Sequence, residues 1–433
     1  MTLATHAMTM FVSTRGGSPV ALAEALFAGL APDGGLFVPT SIGTLGRPPA
    51  SVAGLAETAR WAAPRMLPGV DPGILERAAT AALDFPLPLV EIEPGLHVLE
   101  LFHGPTHAFK DVGARFMARL MSELEAGGSA RTILVATSGD TGSAVAHAFH
   151  GLAGYRVVVL FPRDGVSARQ RRQMTTLGGN VRALAVSGTF DDCQRLAKEA
   201  FRDPQIRTRH GLTSANSINI GRLLPQTFYY IHAAIQLGWA ARPARFVVPS
   251  GNLGNLSGGI IAHRAGMPNR GFVAAMNANR AFADFLATDT FEPRPSIPTC
   301  SNAMDVGDPS NIERIRWLYR DDPARLRREV TGLSVTDAET AATIADVYAR
   351  TGYMLDPHGA VGVRAHERSA DSGQGPSVVL ATAHPAKFPD VVEKAIGRPV
   401  PLPPGIAAVM SAQEHMEHIS ATLGALAEAL DAA

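Results

Sequence analysis

From residue 96 onward, short unbroken apolar runs alternate with longer stretches in which apolar positions recur every three or four residues. Val157-Val158-Val159-Leu160-Phe161 is a run of the first kind. A strand with no polar face is buried on both sides and belongs in a parallel sheet. On this basis strands are predicted at 131–136, 156–161, 181–186, 245–249, 271–276 and 377–381. Helical stretches fall between them, near 142–152, 167–176, 189–201, 218–236 and 256–265, with further helices over 311–321, 336–350 and 411–430. The alternation predicts an α/β protein with two open, twisted, mostly parallel sheets flanked by helices.

Residues 1–95 read differently, as a mainly helical N-terminal region. Ser18-Pro19 is predicted to open a helix through Leu30, with Ser as cap and Pro in the first turn. Pro32-Asp33-Gly34-Gly35 ends it, and Leu36-Phe37-Val38 is a short strand. Two more helices are predicted near 51–63 and 73–83, followed by an extended connector from Phe85 to Leu89. The expected division is 1–95, a smaller α/β domain over 120–235, and a larger one built from 96–119 and 236–433 with C-terminal helices.

Composition narrows the function classes. The chain has 433 residues, 46% hydrophobic and 18% charged, with a net charge of zero. No global basic field exists, which argues against nucleic acid as a partner. No apolar run reaches the length of a membrane span. Two cysteines, Cys193 and Cys300, make neither a disulfide framework nor a zinc site, so no metal centre is expected. With no basic stretch leading into a long apolar core at the N-terminus, a cytoplasmic location is expected.

The chemistry centres on Leu99 to Leu120. Leu96, Val98, Leu99, Leu101 and Phe102 form an apolar strand pattern, which Gly104-Pro105 breaks. From Asp111 apolar residues fall at 112, 116, 117, 120, 121 and 124, with Arg115, Arg119 and Glu123 opposite; Gly127-Gly128 stops this helix. Asp111 suits the helix N-terminus as an acceptor. Lys110 then stands at the helix mouth beside Phe109, where the positive end of the dipole disfavours a cation. An amine there gives up its proton more easily, as a nucleophilic lysine must. Of 39 Lys and Arg residues only Lys110, Lys198, Lys387 and Lys394 are lysines. Where Arg is the default cation, a lysine asks for a reason, and only lysine forms a Schiff base.

Three other motifs sit at predicted strand ends. Thr137-Ser138-Gly139-Asp140-Thr141-Gly142-Ser143 runs from a strand into a helix and offers hydroxyl and backbone donors to an anion. Pro249-Ser250-Gly251-Asn252-Leu253-Gly254-Asn255 is a second strand, glycine turn and helix. It lacks the spacing of a dinucleotide fingerprint and the Gly-Lys-Ser/Thr of a P-loop, yet its N–H groups can wrap one phosphate. Glycine at 254 is expected to let the backbone close on that phosphate. Thr382-Ala383-His384-Pro385-Ala386-Lys387-Phe388 follows the strand 377–381. A Schiff-base lysine together with a phosphate cup points to pyridoxal 5'-phosphate. Asp140-Thr141-Gly142 and Asp371-Ser372-Gly373 mimic an aspartic-protease pair. That fold is all-β, and here the first triplet enters a helix, which excludes it.

Together these residues resemble the threonine synthase family. The resemblance is carried by residues 101–111, 136–142, 214–220 (Ser-Ala-Asn-Ser-Ile-Asn-Ile), 249–255, 301–306 (Ser-Asn-Ala-Met-Asp-Val) and 382–388, and extends from about residue 15 to 400. His107 stands where an apolar residue is expected and Leu253 where Phe is usual. The family is of fold type II among pyridoxal-phosphate enzymes, so the resemblance implies a carbon–oxygen lyase acting on a phosphate ester. It would convert O-phospho-L-homoserine and water to L-threonine and phosphate.

By the same resemblance Lys110 holds the cofactor and acts as the base, Gly251, Asn252, Leu253, Gly254 and Asn255 cup its phosphate, and Thr382 bonds the pyridine nitrogen. Ser138, Asp140 and Thr141 would line the substrate carboxylate and cofactor ring. Arg163, Asn216, Asn219, Arg222 and Lys387 are candidates for the substrate phosphate. The alternative is another fold type II enzyme, such as a serine/threonine dehydratase, which has no use for a second anion site.

Overall fold

The computed structural model describes residues 8–125, 130–370 and 373–432. The predicted helix stop at Gly127-Gly128 and the Asp371-Ser372 pair lie outside the described residues. The strands are β1 (Phe11–Ser13), β2 (Gly16–Val20), β3 (Phe37–Pro39), β4 (Leu89–Glu93), β5 (Leu96–Glu100), β6 (Arg131–Ala136), β7 (Tyr155–Pro162), β8 (Val181–Ser187), β9 (Leu212–Thr213), β10 (Ala244–Pro249), β11 (Asn269–Met276), β12 (Val330–Ser334), β13 (Ser377–Ala381) and β14 (Glu417–Ser420). They form three sheets, in the orders β2-β1-β3, β12-β11-β10-β13-β5-β4 and β14-β8-β7-β6-β9. The six-stranded sheet is parallel except for β4, and the five-stranded sheet is parallel throughout.

The apolar runs behave as two-faced strands. Successive side chains of a strand point to opposite sides. Val157, Val159 and Phe161 join the central core. Val158 and Leu160 join a second cluster on the outer face of the smaller sheet. The larger sheet divides likewise: Phe246 and Val248 face the central core, while Val247 and Val379 pack under the helices Pro357–Glu367 and Asp337–Thr351. The helices Lys110–Leu124, Asp140–Phe149, Gln226–Gln236 and Gly254–Arg264 all contribute to the central core. Helix starts follow side-chain chemistry: Thr189 with Asp192, and Thr336 with Glu339, each form a reciprocal capping box. Among the described residues no helix is long and apolar enough to cross a membrane.

Three expectations change. Ser18-Pro19 lies in β2, an edge strand that tolerates Pro because its outer side needs no donor, and the helix begins only at Leu22. The N-terminal region therefore carries an antiparallel sheet besides its helices. The extended connector from Phe85 leads into a strand that was not predicted, β4, zipped antiparallel to β5. Finally, the predicted helix 411–430 contains β14, followed by the helix Leu423–Asp431. β14 pairs with β8, and Leu426 and Leu430 fill the outer core of the smaller sheet. The end of the chain thus runs with the smaller sheet, where the expected division placed it with the larger one.

Candidate active site

β10, β13 and β5 are neighbours, so the segments that follow them meet at one edge. After β5 the chain turns at Gly104-Pro105 and doubles back antiparallel along the segment after β13. His384 N–H donates to His107 O at 3.1 Å and Phe109 N–H to Thr382 O at 2.9 Å, with a bridge between Ala108 and Ala383. His107, with φ of +56°, makes the corner. This reversal carries Lys110 to the end of the strand next to Thr382. Asp111 is fully buried and accepts from Thr106 N–H at 2.9 Å and Thr106 Oγ1–H at 2.6 Å. It braces the turn, not the helix amides it was expected to cap.

Lys110 Nζ lies 4.8 Å from the centroid of the Phe109 ring. Burial pulls its pKa down to about 8, opposed by Asp140 and assisted by the charges of Lys387 and Arg222. The lowered lysine pKa expected at the helix mouth is present, with desolvation as the main cause. Lys387, buried, donates to Asp140 Oδ1 at 2.7 Å and to Thr106 O at 2.9 Å. Asp140 Oδ1 also accepts from Gln170 Nε2 at 2.9 Å. Burial would raise the Asp140 pKa, but the charges of Lys387 and Lys110 and these hydrogen bonds outweigh it and hold the carboxyl well below its usual range. Burial, aided by neighbouring positive charge, lowers both His107 and His384 to about 4, so both rings are neutral at pH 7.

The turn after β6 is held by Thr137, whose Oγ1 accepts from Gly139 N–H at 3.0 Å and Gly142 N–H at 2.9 Å. That leaves Ser138 exposed and Thr141 half-buried. The turn after β10 passes close under the 301–306 loop. A Cβ on Gly251 would sit 2.9 Å from Met304 Cα, whereas one on Gly254 would meet nothing nearer than 3.5 Å. Within the protein, the tight approach is at 251. Leu253, with φ of +59°, turns the chain into the helix Gly254–Arg264, whose first intrahelical bond is Ser257 N–H to Leu253 O at 2.9 Å. The preceding amides have no partner within the helix, as at any helix N-terminus, and are free for an anion. Asn255 accepts from Tyr229 and Tyr230 hydroxyls at 2.6 and 2.7 Å, and its Nδ2 is buried without a protein partner. These features fit a phosphate group.

The other candidates separate. Arg222 is buried, pulled down to about 10 by desolvation, and its Nε has no partner; the Oδ1 of Asn216 is likewise unpartnered. Asn219 departs from expectation: its amide donates to Leu26 O and Ser214 O and its Oδ1 caps Gly221 N–H, all within 2.9 Å, so its capacity is spent on the backbone. Arg163 is exposed and paired with Asp164. Lys387 is turned onto Asp140. Gln170, Gln173 (donating to Thr106 O at 3.0 Å) and Arg169 (donating to Ala386 O) were not expected. Their helix, Ala168–Thr175, reads as a solvent-facing polar segment, and only the assembled fold buries Gln170 and Gln173.

A low-pKa lysine, a threonine hydroxyl and a glycine turn, at the ends of three adjacent parallel strands, describe a pyridoxal-phosphate-dependent enzyme of fold type II. The family profile described as "Pyridoxal-phosphate dependent enzyme" matches residues 85–383. Profiles for "Threonine synthase N terminus" and "Threonine synthase, C-terminal" match residues 10–78 and 359–430. The chain belongs to the threonine synthase family. It is 41% identical over 387 residues to threonine synthase of Haemophilus influenzae, covering 89% of this chain and 90% of that one. Among solved structures it is similar to PLP-bound threonine synthase from Brucella melitensis (TM-score 0.91, 37% identity, 98% of each chain). The yeast threonine synthase structure gives a TM-score of 0.90 at 30% identity, covering 98% of this chain and 99% of that one.

Proposed function

We propose that this chain forms L-threonine and inorganic phosphate from O-phospho-L-homoserine and water. The observation that carries the reading is the convergence of Lys110, Thr382 and the Gly251–Asn255 turn at the ends of β5, β13 and β10. Lys110 Nζ would hold the cofactor. Gly251, Asn252, Leu253, Gly254 and Asn255 would take its phosphate at the helix N-terminus, and Thr382 Oγ1 its ring nitrogen. When bound, pyridoxal 5'-phosphate supplies an electron-withdrawing ring that acidifies the substrate carbons. A neutral hydroxyl at the ring nitrogen makes that withdrawal milder than a carboxylate would, which suits elimination and replacement over transamination.

Lys110, its pKa pulled down to about 8, is the group placed to take and return protons at substrate Cα and Cβ. In the net reaction the carbon–oxygen bond at Cγ breaks and its electron pair leaves with the phosphate, Cβ gives up one proton while Cγ gains one, and water adds its hydroxyl to Cβ and its remaining proton to the phosphate. Ser138 and Thr141 would receive the substrate carboxylate beside Asp140, which Lys387 and Gln170 hold ionised. Arg222 and Asn216, with unpartnered polar atoms, are the groups we assign to the substrate phosphate. Balanced charge and two free cysteines support a cytoplasmic enzyme acting on a small molecule. We read the molecule as a smaller α/β unit, completed by the chain's end, and a larger one, meeting at this cleft.

The test is turnover with O-phosphohomoserine, measuring phosphate and threonine together and in equal amounts. Release of ammonia and a 2-oxo acid from threonine or serine, with no phosphate from O-phosphohomoserine, would mark a dehydratase instead.

A further inference from the structure

The helix Ile312–Leu318, Ile-Glu-Arg-Ile-Arg-Trp-Leu, carries two arginines with opposite fates. Arg316 is exposed and paired with Asp321 at 2.7 Å. Arg314 has 0% exposure. Its donors go to neutral oxygens: Phe37 O at 3.0 Å, Ser217 O at 3.0 Å, Asn311 Oδ1 at 2.6 Å, and Ile218 O. The adjacent Glu313 carboxylate is turned to Arg15 at 2.8 Å, and among the described residues no carboxylate forms an ion pair with Arg314. Burial lowers its pKa to about 9, so the guanidinium is charged at neutral pH. The charge of Glu313 opposes that shift without pairing, and a fully buried charge with no ion-pair partner is costly.

What Arg314 holds points to the missing counterion. Asn311, which it grips, donates through Nδ2 to Asn252 O at 2.9 Å. Asn252 Nδ2 in turn donates to Ser217 Oγ at 2.7 Å, and Arg314 holds the Ser217 carbonyl. Ser310 N–H closes the ring onto Asn252 Oδ1 at 2.6 Å. One buried cation therefore braces two of the three residues that clasp the glycine turn, Asn311 and Ser217.

We infer that Arg314 is a positioning residue for the phosphate cup, orienting Asn252 through Asn311 and Ser217 and supplying the buried positive charge that a bound phosphate dianion balances. The inference rests on reading Gly251–Asn255 as that cup.

The experiment compares affinities of the full-length, cofactor-stripped protein for pyridoxal 5'-phosphate and for pyridoxal, followed by protein fluorescence. Arg314→Met should cut the preference for the phosphorylated form by about tenfold, while the affinity for pyridoxal stays within about threefold. A purely structural role weakens both ligands alike, and that outcome, or an unchanged preference, overturns the inference. Asn311→Ala, which leaves the guanidinium in place but cuts its link to Asn252, answers independently should Arg314→Met fail to fold. A loss of preference of about threefold is expected there, and an unchanged preference overturns the relay. Wild-type protein with no preference for the phosphorylated ligand would instead sink the cup reading itself.

Discussion

The ammonium of Lys387 lies 2.7 Å from Oδ1 of Asp140, and the two side chains are almost wholly shut off from solvent. Asp140 starts the helix after β6 of the smaller sheet; Lys387 follows β13 of the larger one. The pair is an ionic contact between segments that follow strands of two different sheets. Removing one partner of a buried pair strands the other charge, so Lys387→Met should cost ~3–5 kcal/mol of stability. The double variant Lys387→Met/Asp140→Leu should recover much of that loss. Urea unfolding of the two single variants and the double variant measures the coupling; additive effects would show that the two charges do not depend on each other.

The four lysines differ in a way that borohydride can report. Lys198 and Lys394 are exposed, and Lys387 is committed to Asp140. Reduction of the cofactor-loaded enzyme followed by peptide mapping should place the label on Lys110 alone. Lys110→Ala should fold and take no label. A tag on any of the other three refutes the assignment.

Lys110 also predicts a pH dependence in the cofactor-stripped chain. Its pKa is about 8 when folded against an ordinary 10.5. Between those values the unfolded chain carries the extra proton, so stability rises with pH; below pH 8 both states are protonated and the cost of burying the charge is fully felt. Relative to Lys110→Met, the wild type should gain on the order of 2–3 kcal/mol from pH 8 to 10.5. Denaturant midpoints of both proteins across that range measure it, and parallel curves would contradict the shift.

Gly251 and Gly254 should respond differently to alanine. The Cβ of Gly251→Ala would press to 2.9 Å from Met304 Cα and 3.1 Å from Ala303 O, backbone atoms that cannot swing aside. Overpacking of this kind costs ~1–3 kcal/mol. Gly254→Ala meets only ordinary contacts, and stability should be kept. Thermal unfolding of the stripped proteins ranks the two, and the reverse order would mean that the 301–306 loop does not press on the turn.

Thr382→Val keeps the side chain's shape and removes one hydroxyl. A neutral hydrogen bond is worth ~0.5–1.5 kcal/mol, so cofactor affinity should fall by up to about tenfold without vanishing. Equilibrium binding of pyridoxal 5'-phosphate reads this directly. An unchanged affinity would remove Thr382 from the ring nitrogen.

Much of the site was legible because its signals are local. Lys110, Gly251–Asn255 and Thr382 each lie past the end of an apolar run, and a parallel sheet brings its strand ends together whatever else the chain does. Their supports were not legible. Nothing in the pattern of the predicted helix 311–321 separates Arg314 from Arg316, and only the carbonyls of Phe37, Ser217 and Ile218, distant in sequence, decide which is buried. Asn219 looked like a ligand because an amide is equally good at capping a helix. Ser18-Pro19 suits a helix start and an edge strand alike, and pairing with β1 settled it. β14, Glu-His-Ile-Ser, has no apolar run at all and becomes a strand only because β8 offers it an edge.

That pairing has a consequence during synthesis. Four strands of the smaller sheet, β6 to β9, have been synthesised once Thr213 is added, yet the strand that covers the edge of β8 comes last, at Glu417–Ser420. Through translation of β10 to β13 of the larger sheet, β8 offers unpaired N–H and C=O groups to any passing strand. The nascent chain carries an aggregation-prone edge for about half its synthesis, and chains stalled or cut before Glu417 would keep it.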